Sequence, residues 1–71
     1  MLGNPKFKRE ELVTFNFEIE GEMQKIDGAI YVVDANGTAD QNEEPSYDIE
    51  AFYRGEIVLF KHVRESEVSK R

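Results

Sequence analysis

Seventy-one residues make one domain at most, and a chain this short buries only about 60% of the surface its unfolded form exposes. It has no cysteine, which excludes disulfides and thiolate metal sites and fits a reducing, cytoplasmic setting. The formal net charge of −6 is unevenly spread: residues 1–10 and 61–71 each carry a net +2, while residues 11–60 hold twelve acids against Lys25 and Arg54, a body that repels phosphate backbones and disfavours nucleic acid as a partner.

Residues 1–10 have no periodicity, and Gly3, Asn4 and Pro5 break regular structure, so a flexible N-terminal arm is expected ahead of a single domain over 11–69. Met1 is followed by no apolar run, so no signal peptide is expected. Leu12 to Glu20 then alternates strictly. Val13, Phe15, Phe17 and Ile19 share one face and Thr14, Asn16, Glu18 and Glu20 the other, which is the period of a half-buried strand. Gly21-Glu22 supplies a tight turn. Met23 to Asp34 reads as a long second strand, with Ile26, Ile30 and Val32 in step with Gly28, and Ala29, Tyr31 and Val33 on the opposite face. A glycine inside a strand marks a bulge or a sharp bend.

Residues 35–45 read as a polar loop. Ser46 to Tyr53 is the third strand, in which Tyr47, Ile49, Ala51 and Tyr53 alternate with Asp48, Glu50 and Phe52. Arg54-Gly55-Glu56 reads as a hairpin turn and Ile57 to Val63 as the fourth strand. Arg64 to Val68 gives one helical turn and a short last strand that returns Val68 to the core, followed by a frayed end at Ser69, Lys70 and Arg71. The longest apolar stretches, Ile30 to Val33 and Ile57 to Phe60, are too short to span a bilayer. The expected core is Val13, Phe15, Phe17, Ile19, Ile26, Ile30, Val32, Tyr47, Ile49, Ala51 and Leu59.

Short turns, one bent strand and a terminal helical turn predict an all-β fold: a small five-stranded antiparallel barrel. Over roughly residues 12–69 the chain resembles the SH3-like barrels, through the bend at Gly28 and the closing run Ile57-Val58-Leu59-Phe60-Lys61-His62-Val63-Arg64-Glu65-Ser66-Glu67-Val68. From Tyr31 to Val68 it also resembles small uncharacterised proteins of Gram-positive bacteria and their phages, which implies a phage- or mobile-element-encoded protein. The fold hosts unrelated functions and transfers none by itself.

Sites of chemistry are sparse. Asp34, Asn36, Thr38, Asp40 and Asn42 alternate like the ligands of an EF-hand calcium loop, but Ala39 stands where that loop needs glycine and Pro45 where it needs a bidentate Glu, so the loop is expected not to bind calcium tightly. The lone His62 lacks a nucleophile partner in sequence. The pairs Glu18/Glu20 and Asp48/Glu50 lie about 7 Å apart on their strands but on a chain too small to enclose a cleft. No catalytic, cofactor-binding or metal-binding residue is expected, and the protein is not expected to be an enzyme. Lys6, Lys8, Arg9, Lys61, His62, Arg64, Lys70 and Arg71, with Phe7 and Phe60 as stacking faces, define an alternative nucleic-acid-associated module built from the basic termini. An acidic decoy that binds a basic host protein is a further alternative. The leading expectation is a small protein-interaction module that binds a protein partner or itself, with Tyr31, Phe52 and Phe60 as the partner-binding residues. Together with Val33 they fall on the faces opposite the core, where either the bend at Gly28 folds them over a barrel corner into a second part of that core or they form an exposed patch that marks an interface.

Overall fold

Strict alternation makes β1 (Leu12–Ile19), with Val13 and Phe15 fully buried and Phe17 and Ile19 packed against them at the core margin. The computed structural model describes residues 5–35 and 44–71. The 36–43 part of the polar loop, and with it the expectation about calcium, lies outside the described residues. β1 turns into β2 (Glu22–Asp34) at Glu20 and Gly21, whose φ angles of 54° and 83° make the two-residue turn that matches the twist of a hairpin. Ile19 therefore faces Glu22 and Phe15 faces Ile26. A turn at Gly21-Glu22 would have moved those partners by two residues, which leaves both faces intact.

β2 is shared. Its first half pairs with β1 and its second half with β3 (Ser46–Tyr53), the two ladders overlapping at Gly28 and Ala29. The bulge lies not at Gly28 but at Tyr31, between the pairs Ile30–Ile49 and Val32–Asp48. The extra residue flips the alternation, so Tyr31 and Val32 both face outward and Val33 turns in. Val32, expected in the core, is 41% exposed for this reason.

A second two-residue turn, Arg54-Gly55, joins β3 to β4 (Glu56–Arg64), with φ of 53° and 82° and Tyr53 facing Glu56. The expected turn was one residue longer, and a one-residue change of register sends every side chain to the other face. Leu59, expected in the core, points out, and Phe60, expected on the opposite face as either second-core or interface residue, is buried in the one core together with Val63. A bulge at Lys61 and His62 opposite Asp48 makes that return possible: His62 takes a φ of 62° and its N–H donates to an Asp48 carboxylate oxygen at 3.1 Å.

A 3₁₀ turn (Glu65–Glu67) leads to β5 (Val68–Lys70), which pairs with β1. The five strands form one antiparallel sheet in the order β4-β3-β2-β1-β5. The fold is all-β with a short terminal helical turn, as the pattern predicts, but β4 and β5 do not pair, so the barrel stays open. The sheet nevertheless curls. Phe60 on β4 meets Phe15 and Phe17 on β1 at ring distances of 5.2 and 5.0 Å. Strands three places apart in a flat sheet would be separated by about 14 Å. Among the described residues no helix is long and apolar enough to cross a membrane.

Residues 5–10, expected to be a loose arm, are strapped across the open end of the core. Phe7 is buried edge-on against Tyr47 at 5.7 Å. The Phe7 N–H donates to the Tyr47 hydroxyl at 3.3 Å, and that hydroxyl donates to Glu65 at 2.8 Å. The Lys6 N–H donates to the same carboxylate oxygen at 2.8 Å, and the Glu10 N–H donates to the Ile30 carbonyl at 2.7 Å. The expected fraying at the other end is also absent from β5, and the Arg71 guanidinium donates to the Gly28 carbonyl at 3.0 Å.

Burial, reinforced by the hydrogen bond to Glu65, holds the Tyr47 hydroxyl well above the ordinary tyrosine pKa. The folded state therefore keeps its proton longer than the unfolded chain, so this contribution is whole below about pH 10 and is lost as pH rises beyond it. Tyr47→Phe is expected to cost about 1–3 kcal/mol near neutral pH. Urea unfolding repeated up to about pH 11 should show the alkaline loss of stability shrinking in the variant. An equal loss in both proteins would rule the linkage out.

Candidate functional site on the solvent face of the β3–β4 hairpin

The two-residue turn that buries Phe60 also sets Ile57 and Leu59 on the solvent face. Ile57 stands directly opposite Phe52, and Leu59 opposite Glu50. Because Tyr53 and Glu56 flank the turn as a hydrogen-bonded pair, Phe52 and Ile57 form a non-hydrogen-bonded pair, the kind in which side chains lie closest. Both are 70% exposed and Leu59 is 38% exposed, so water sees an apolar trio on one hairpin. Glu50, exposed and opposite Leu59 on the same face, gives it an acidic border. At the tip, Arg54 lies over the Tyr53 ring at 5.2 Å and 4.0 Å from the Glu20 carboxylate, exposed contacts worth little.

Of the residues expected to bind a partner, Phe52 belongs to this trio. Tyr31 is exposed but lies elsewhere, at the β2 bulge level with Ile49 and Asp48, roughly 10 Å or more along β3 from Phe52. It lines a shallow cleft of about 250 Å³ together with Arg9, Glu10, Ala29, Ile30 and Glu50. Phe60 is in the core and leaves the set, its ring also meeting Tyr53 at 6.0 Å. Ile57 and Leu59 were missed. Arg54-Gly55, a two-residue turn with glycine second, was the signal for them.

The basic termini do meet, but Phe7 and Phe60 are buried and offer no stacking faces. Lys70 lies 3.9 Å from the Glu11 carboxylate, and Arg71 is held by Gly28. Among the described residues no group of three or more His, Asp or Glu side chains is placed to hold a metal ion. Glu18 and Glu50 are exposed on their strands, and Glu20 is exposed in the turn, 4.0 Å from Arg54. No family model, no curated protein and no solved structure matches the chain.

Proposed function

We propose that this protein is a small non-catalytic interaction module that docks a protein partner, or a second copy of itself, on the solvent face of the β3–β4 hairpin. The observation that carries this reading is the exposed cross-strand pair Phe52–Ile57. Burying a large apolar side chain contributes on the order of 1.5–3 kcal/mol, and here that contribution is left for a partner to realise. Aromatic residues in a patch with a polar border are the usual centre of such surfaces. A cytoplasmic location and an SH3-like kinship belong to the same proposal. The lack of cysteine supports the first, and the strand order with a 3₁₀ turn before β5 supports the second.

The test is the double substitution Phe52→Ser, Ile57→Ser. Both side chains are largely in water, so the circular dichroism spectrum is expected to stay the same and stability to change by under about 1 kcal/mol. Self-association by light scattering and capture of proteins from a host lysate should both fall. A folded variant that associates and captures as the wild type does would overturn the proposal.

A further inference from the structure

The two edges of the sheet are unlike. β5 is three residues long, whereas β4 is nine residues long and no described strand covers its outer side. Hydrogen bonds alternate along an antiparallel ladder. From the turn pair Tyr53–Glu56 onward, the pairs Ala51–Val58 and Ile49–Phe60 are the bonded ones, so Glu56, Val58 and Phe60 use their backbone groups on β3. Ile57, Leu59 and Lys61 direct theirs to the open edge. The run stops at the bulge, where the His62 N–H is already held by Asp48. Native proteins blunt such edges with bulges and lysines, and here both stand only at the far end of the strand.

We infer that the open edge of β4 pairs with β4 of a second copy, antiparallel across a twofold axis at Leu59. This deepens the interaction-module reading and rests on it. The register follows from the free run: only centring on Leu59 engages all three outward residues of both copies, giving about six hydrogen bonds. Leu59 then faces Leu59 of the second copy, and Ile57 faces Lys61 of the second copy, whose aliphatic stem covers the Phe52–Ile57 pair. Glu56 comes level with His62 of the second copy, so the acidic start of each strand meets the basic end of the other. The contact uses the same edge twice and closes at two copies. The polar three-residue β5 offers no comparable edge for further growth.

Sedimentation equilibrium over a wide concentration range should give a mass rising from the 8.2 kDa of one chain to twice that value. Hydrogen exchange at high concentration should show the Ile57, Leu59 and Lys61 amides protected, and dilution should release them. Leu59→Pro removes an outward N–H without touching a β3–β4 bond, as edge strands tolerate. It should weaken dimerisation roughly thirtyfold through two symmetry-related hydrogen bonds, and Leu59→Ala, which keeps the N–H, should weaken it less. Protection in the undiluted wild type decides the matter even if Leu59→Pro folds poorly. A monomer at every concentration overturns the inference, as does growth beyond two copies. A dimer with those amides unprotected also overturns it, yet leaves the hairpin-face proposal standing if the Phe52→Ser, Ile57→Ser variant still loses association.

Discussion

Phe60→Ala is expected to cost about 3–5 kcal/mol and to leave the chain largely unfolded at room temperature, because a domain this small has little more than that to lose. The ring is 6% exposed and meets Phe15, Phe17 and Tyr53 edge-on. It is the contact that ties β4 to β1 across the curl of the sheet, so truncation both empties a cavity and releases the strand from the fold. Phe52→Ala is the internal control. At 70% exposure it should shift stability by no more than about 0.5 kcal/mol. Urea midpoints of the two variants measured side by side check the register of β4 directly. Equal costs, or the reverse order, would mean that the two phenylalanines had been placed on the wrong faces. Phe17→Ala, at the margin of the core, should cost less than Phe60→Ala.

Gly28→Val should cost about 3 kcal/mol or more, through overpacking instead of a cavity. A side chain at this position has nowhere to go: its Cβ would lie 2.7 Å from the Glu50 carbonyl oxygen, 2.9 Å from the Ile49 Cγ2 and 3.0 Å from the Ala51 Cβ. The nearest atom is backbone in the adjacent strand, so relief requires β2 and β3 to separate at the place where β2 passes from one ladder to the other. Gly28→Ala meets the same three atoms and should already cost about 1–3 kcal/mol. Gly21→Ala is the contrast, since nothing lies within 4 Å of its Cβ and the cost there comes from its φ of 83° alone. Thermal unfolding of the three variants separates the two mechanisms. A Gly28→Ala protein as stable as the wild type would show that the strands part easily.

Alternation alone sufficed for β1, where Val13 and Phe15 fall inside and Glu18 outside with no help from a neighbour. It failed for β4, because every residue of that strand from Ile57 to Phe60 is apolar and the choice of face passes to the length of the preceding turn. Reading Arg54-Gly55 as a two-residue turn would have placed Phe60 inside and Ile57 and Leu59 outside. The bulge at Tyr31 exchanged Val32 and Val33 for a similar reason: both are valines, and the pattern carries no mark of which one faces the core. The strap was illegible because one aromatic, Phe7, and hydrogen bonds to distant Tyr47 and Glu65 hold it, and neither leaves a period in the sequence. Of the candidate surface, Phe52 was legible as an aromatic among acids, while its two companions depended on the turn.

The strap and β5 also set an order of events in folding. The two hairpins close across turns of two residues, Glu20-Gly21 and Arg54-Gly55, and such local contacts form early. The β1–β5 pair must bring Val68 to Phe15, and the strap must bring Lys6 to Glu65, so both wait for a meander that already exists. These late elements are expected to be the first to open from the native state, which uncovers the second side of β1 while β2 and β3 stay paired. Release of β5 would therefore give the sheet a second open edge, β1 in addition to β4, and the hydrogen bonds from Lys6 and Tyr47 to Glu65 oppose that release.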